Sequence, residues 1–226
     1  MSADPISLAI VLALLALVPL AAVMTTSFLK ISIVLALVRN ALGVQQVPPN
    51  MALYGLALVL SAYVMAPVIN EVGEALRHPT SVQEQDPEAA SRSSGMQLIG
   101  ILNAVQAGVV PMQEFMLRNS KPEQRDFFLR TAHRIWGSQQ AQGLRENDLL
   151  VLIPAFLVSE LTAAFQLGFL LYLPFIVIDL IVSNILLAMG MMMVSPVTIS
   201  MPLKLFLFVM VDGWTRLIQG LVLSYR

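Results

Sequence analysis

Residues 40–70 read NALGVQQVPPNMALYGLALVLSAYVMAPVIN, 31 positions without one charged side chain. An α-helix needs about 20 predominantly apolar residues to cross a bilayer, and the run after Asn50 supplies them. A second uncharged run lies between Asp4 and Lys30. Backbone in lipid must satisfy its own hydrogen bonds, and no long stretch alternates with period two, so these runs predict helices rather than strands. Composition agrees: 57% of the 226 residues are hydrophobic and 12% charged, against about 25% charged in an average soluble domain. The chain reads as an all-α integral membrane protein.

Working outward, charge divides the sequence into three parts. Residues 1–70 are apolar, with Lys30 and Arg39 near the polar joint Asn40–Asn50. Residues 71–148 carry 18 of the protein's 27 acidic and basic side chains, ten acidic and eight basic. Residues 149–226 return to apolar composition, with Glu160, Asp179, Lys204, Asp212, Arg216 and Arg226 as their charges. Helices are expected from about Pro5 to Leu42 with a bend near Pro19, and from Met51 to Asn70. In the polar part they are expected over Met96–Arg118 and Pro122–Trp136, the latter opened by a first-position proline and a first-turn acid. Two or three helices broken near Pro154 and Pro174 should fill Asn147–Met189, and a last one Pro202–Ser224. The architecture expected is one of helical hairpins with a polar helical insertion at 71–148. The apolar run from Ile6 is too long for a signal-peptide core and lacks a basic flank, which makes it an anchor helix.

Several function classes fall away on inventory. A formal charge of −1 offers nothing to nucleic acid, and the absence of cysteine removes disulfides, thiolate metal sites and cysteine nucleophiles. His78 and His133 stand 55 positions apart without metal-ligand spacing, and the chain has no serine-hydrolase elbow or phosphate-binding glycine loop. No catalysis, metal or cofactor is expected.

What remains is chemistry that is costly in lipid. An isolated Asp, Lys or Arg at mid-bilayer costs about 2.5–3.5 kcal/mol on insertion scales. Asp212 and Arg216 have the i, i+4 spacing of an intrahelical pair with the acid first, a structural role. Glu160 and Lys204 lack local partners, so their pairing needs a chain fold-back or a neighbouring subunit; a proton or ion path through Glu160 and Asp179 is the alternative. Residues 190–196 read GMMMVSP. Glycine before and proline after three consecutive methionines interrupt helical geometry, and irregular backbone at membrane depth survives only where protein buries it or a cavity borders it. Met191, Met192 and Met193 fit a deformable apolar constriction, with core-filling methionines as the plainer alternative.

The segments Met24–Val68 and Leu149–Leu217 resemble the FliP/SctR family of the export apparatus of bacterial flagella and type III secretion injectisomes. The resemblance is carried by RNALGVQQVPPN, MAPV, GMMMVSP and DGW, and the VQQVPPNMA and SELTAAF wording places it on the injectisome branch rather than the flagellar one. Membership implies a pentamer that joins S, T and U subunits in a helical pore complex conducting unfolded protein across the inner membrane. It implies that Met191–Met193 form the pore gasket, that Glu160 and Lys204 bridge neighbouring subunits, and that the assembled protein sits partly on the periplasmic side. Energy would come from partner components. A channel or secondary transporter for a small solute or ion is the alternative from another class, and a scaffold with no conduit of its own a third; internal inverted repeats, which would favour the transporter, are not visible.

Lys30 and Arg39 place the Asn40–Asn50 joint inside by the positive-inside rule, which turns 71–148 outward. An alkaline phosphatase reporter fused near Ser91 is therefore expected to be active and one near Gln45 silent; the reverse pattern inverts the topology.

Overall fold

The computed structural model describes residues 16, 19–20, 22–44, 47–77 and 108–225, and among them every regular element is helical. Six helices carry the architecture: α1 Phe28–Ala41, α2 Asn50–Arg77, α3 Pro122–Gln140, α4 Leu149–Ala188, α5 Pro196–Met210 and α6 Gly213–Leu223. A further helical stretch covers 108–119. The chain forms two compact units, one from 1–25 with 65–159 and the other from 26–64 with 160–226.

In the second unit α1 is the inner element. Ile31, Val34, Leu35 and Val38 recur at helical spacing and are all buried. Around them close Leu53 and Ala57 of α2, Ala164 and Phe175 of α4, Phe208 of α5, and Leu217 and Leu221 of α6. Helices α1 and α2 form an antiparallel hairpin fixed at both ends. At the joint, the Arg39 guanidinium donates to the Pro48 carbonyl at 3.3 Å and to Asn50 Oδ1 at 2.6 Å. At the far end, Ser27 Oγ donates to Ser61 Oγ at 3.0 Å. Between α1 and α4 the backbones come close: a Cβ added at Gly168 would lie 2.2 Å from Leu37 Cδ1, so no larger residue fits there without moving Leu37.

The other unit packs the last part of α2, the 108–119 stretch, α3 and the start of α4. Phe115 meets Phe156 edge to face with ring centres 5.8 Å apart, and both are buried with Met116, Val151 and Leu152. Arg125 caps the end of the 108–119 helix, donating to the Leu117 carbonyl at 3.2 Å and to the Ser120 carbonyl at 2.7 Å. The Lys121 amide donates to Ser159 Oγ at 2.9 Å, which settles the start of α3 against α4.

Helix α3 begins at Pro122 as the sequence predicts, and its regular backbone ends at Gly137 (φ 77°, ψ 162°), next to the expected limit at Trp136. Helix α2 runs seven residues beyond the expected Asn70 and carries Pro67 within it. Three expectations need correction. The chain from Pro5 to Leu42 is not one helix, because its helix is interrupted at Thr26–Ser27 before α1; residues 1–15, which hold most of its first half, and 96–107 of the helix expected over Met96–Arg118 lie outside the described set. Helix α4 is continuous for 40 residues through Pro154 and Pro174. Each proline removes one backbone donor, but a long apolar helix retains the rest of its ladder, and prolines are tolerated in such helices. The final helix, expected unbroken over Pro202–Ser224, starts earlier at Pro196 with Pro202 inside it and breaks near Asp212, so that α5 and α6 meet at a bend of 63°.

At 1.5 Å per residue α4 is about 60 Å long, about twice the hydrocarbon thickness. It is apolar along its whole length, as α2 is up to Glu74, and these two helices are each long and apolar enough to span a membrane; the bent α5–α6 pair counts as a third span if taken together. Much of this apolar surface is exposed on the chain itself, including Phe165, Phe169, Val177, Ile181 and Ile185 of α4 and Phe206 and Val209 of α5. An isolated water-soluble chain does not display so much apolar surface, so lipid or other subunits must cover it.

Candidate functional site

Four charges of the apolar segments form two ion pairs within the second unit, one buried and one half-buried. Glu160 of α4 and Lys30 of α1 are 2% and 4% exposed, and Lys30 Nζ stands 3.2 Å from Glu160 Oε1. The Tyr225 hydroxyl donates to Glu160 Oε2, and it also lies 3.3 Å from the Ser27 carbonyl. The Tyr225 ring is itself a ligand for the ammonium, whose nitrogen sits 3.6 Å from the ring centre. Just past the end of α6, Tyr225 has its phenol pushed up from the ordinary value by burial and then by the neighbouring Glu160 charge, so it remains a donor at neutral pH.

The second pair joins Lys204 of α5 to Asp179 of α4 at 2.6 Å. Lys204 Nζ also donates to the Ala41 carbonyl at the end of α1, at 3.3 Å. The Ser200 hydroxyl, one turn before Lys204, donates to Asp179 Oδ1. Lys204 is buried, while the Asp179 side chain is 28% exposed. One carboxylate oxygen thus meets the ammonium and the other the hydroxyl, which satisfies the acid on both sides.

Glu160 and Lys204 do not meet each other in the chain; each is satisfied by a residue from another helix. Lys30 is a core residue, so its reading as a charge near the polar joint does not hold, and of the two only Arg39 stands there. Asp179, weighed in the sequence only as part of an ion path, is the counter-ion of Lys204. The signal that points to this arrangement is the count: two bases and two acids lie among apolar segments without local partners, and burial demands that they neutralise one another. Tyr225 gave no sequence signal.

Asp212 and Arg216 are not brought together. Asp212 adopts the left-handed conformation (φ 52°) ahead of α6, so the continuous helix on which the i, i+4 spacing rests is absent. The Arg216 amide donates to the Asp212 carbonyl at 3.1 Å, and no side-chain ion pair forms between them.

The methionine segment is a displayed loop. Helix α4 ends in a Schellman motif: the Gly190 amide donates to the Leu187 carbonyl at 3.0 Å and the Met191 amide to the Leu186 carbonyl at 2.9 Å. This closure needs a left-handed residue, and Gly190 supplies it with φ 75°. Pro196 then opens α5 from an extended Ser195. Between these fixed ends Met191, Met192 and Met193 are 41%, 81% and 101% exposed. They fill no part of this chain's own core. His133 is exposed on α3, and His78 lies outside the described residues.

Long apolar helices, charges neutralised in pairs between them and an apolar loop held open at a helix end define an all-α protein with two or three helices long and apolar enough to cross a membrane. Residues 11–221 match the FliP family, and the chain belongs to that family. It is 52% identical over 222 residues to the "Yop proteins translocation protein R" of Yersinia pestis, covering 98% of this chain and 97% of that one. It is 47% identical to the "Harpin secretion protein HrcR" of Erwinia amylovora, again over 98% and 97% of the two chains. The "Virulence protein YscR" of Salmonella typhimurium is 45% identical with the same coverage.

The two pairs make a direct prediction for the isolated chain. Lys30→Met leaves Glu160 buried without a counter-ion and is expected to lower stability by about 3–5 kcal/mol. Adding Glu160→Leu should recover most of that loss. Thermal unfolding of the full mutant cycle should show coupling of Lys30 to Glu160 and of Lys204 to Asp179. Coupling of Glu160 to Lys204 with none to Lys30 contradicts the assignment.

Proposed function

We propose that this protein is a pore-forming core subunit of a bacterial type III secretion export gate, a passive and gated conduit for unfolded protein across the inner membrane. The observation that carries the reading is the methionine loop. Three flexible apolar side chains stand exposed on a turn locked at one end by Gly190 and at the other by Pro196. Rigid ends with deformable, apolar contents suit a seal that must close against ions and yet admit chains of any sequence. Family membership and the relatives' names, which speak of translocation, secretion and virulence, support the same reading.

In this proposal several copies, a pentamer by family resemblance, surround one axis together with S, T and U subunits. The exposed apolar faces of α4 and α5 supply surface for such neighbours as well as for lipid. A helix of about 60 Å exceeds the bilayer, which accords with a complex that rises out of the membrane on its periplasmic side, with 71–148 as its outward helical part. The proposal keeps a bridge between Glu160 of one copy and Lys204 of the next, formed in addition to the pairs Lys30–Glu160 and Lys204–Asp179 within each copy. The chain serves no catalytic role in it and binds no cofactor.

Replacing Met191, Met192 and Met193 together by Ala removes volume from the seal without touching Gly190 or Pro196. The assembled mutant is expected to leak ions, read as raised conductance in planar bilayers or loss of membrane potential in cells, while its complex still purifies intact. An assembled mutant with unchanged conductance overturns the gasket role.

A further inference from the structure

Two cavities, of about 250 and 280 Å³, lie end to end between α4 and α6. Both are lined by Leu171 of α4 and by Arg216 and Leu217 of α6. Their floors come from α1: Val38 beneath one and Val34, a helical turn earlier, beneath the other. They are two sections of one groove, and among the described residues the sole polar side chain lining either is Arg216.

Arg216 is exposed at this groove. Among the described residues its guanidinium takes part in no ion pair or side-chain hydrogen bond, because the left-handed turn at Asp212 removes the carboxylate that helical spacing would have provided. A cation is thus held over an apolar channel with no counter-charge among the described residues.

We propose that this groove binds a membrane phospholipid with an anionic headgroup, its phosphate on Arg216 and an acyl chain lying over Val34 and Val38. The guanidinium fork matches phosphate oxygens in a two-bond geometry, which neutralises the charge the chain leaves open. Basic positions between apolar helices are places where anionic headgroups bind. The size of the groove favours hydrocarbon over protein: an α-helix is about 10–12 Å across with its side chains, too wide for a channel of this volume running the length of α6. A linear acyl chain needs only the width of one methylene file, and it requires no hydrogen-bond partner from the Leu, Val and Phe walls.

The test uses the full chain reconstituted in phosphatidylcholine bilayers with spin-labelled phosphatidylglycerol or spin-labelled phosphatidylcholine. Electron paramagnetic resonance reads the fraction of label immobilised on the protein. Wild type is expected to prefer phosphatidylglycerol by about fivefold, the effect of one basic side chain on an anionic lipid. Arg216→Gln should bring the two lipids level, and Arg216→Lys should retain part of the preference. Gly220→Leu probes the channel separately, since a Cβ there meets no atom within 4 Å and the added side chain grows into open groove. It should release immobilised lipid while Arg216 stays in place.

A preference unchanged in Arg216→Gln, or immobilisation unchanged in Gly220→Leu, overturns the proposal. So does displacement of the labelled lipid by inorganic phosphate, which marks a site for free anions. Gly220→Cys, the sole thiol in a chain without cysteine, adds a last arm: full disulfide dimerisation in the bilayer identifies a second copy as the occupant and excludes lipid, whereas an unpaired thiol agrees with the lipid site.

Discussion

The Lys30–Glu160 contact is the constraint around which the second unit is organised. A lysine ammonium and a glutamate carboxylate, both out of water, are tolerable only together and with their remaining valences met. Lys30 sits buried in the first turn of α1, and Glu160 on α4, 130 positions later. Satisfying both draws in Tyr225 from the chain end, which closes the carboxylate with its hydroxyl and covers the ammonium with its ring. The chain's beginning, middle and end in that unit thereby share one polar centre. The Lys204–Asp179 pair repeats the solution one level along, with the α1 terminus at Ala41 as the additional acceptor.

These contacts fix the frame from which the methionine loop projects. Asp179 stands about two and a half turns before the end of α4, and Lys204 about two turns into α5, so a pair at 2.6 Å pins the two arms of the α4–α5 turn together. The Schellman closure at Gly190 then sets where the chain leaves α4. Positions of the arms are determined by electrostatics and hydrogen bonds, while the loop between them is left with three side chains of many rotamers and no specific polar contact to break. Stiffness below and softness above is the division of labour a reusable seal requires.

Class and much of the local structure were legible in the residues. The uncharged run after Asn50 announced the long apolar helix α2, Pro122 announced the start of α3, and Gly190 with Pro196 announced the interruption around the methionines. The errors have physical causes. Proline was read by its effect in water, where Pro154 and Pro174 would end a helix; in a long apolar helix the surrounding ladder has no better partners and persists. The break at Asp212 had a signal in the Asp212-Gly213 dipeptide, a turn former whose aspartate tolerates the left-handed region, but the i, i+4 spacing to Arg216 competed with it. Pairing of the buried charges was demanded by their number, yet which acid met which base depended on how α1, α4 and α5 pack, information spread over contacts more than a hundred residues apart. For the same reason Lys30 resembled a loop charge until its burial was known.

The central claim is that Met191–Met193 border the path of an exported chain. Its most direct test is a photo-crosslinking amino acid at Met192 or Met193 in the functional export complex, with a secreted protein stalled in transit by a folded domain at its end. The account predicts light-dependent adducts between these positions and the stalled chain, absent when no substrate is present. Adducts formed only with lipid, while the stalled chain crosslinks elsewhere in the complex, contradict it.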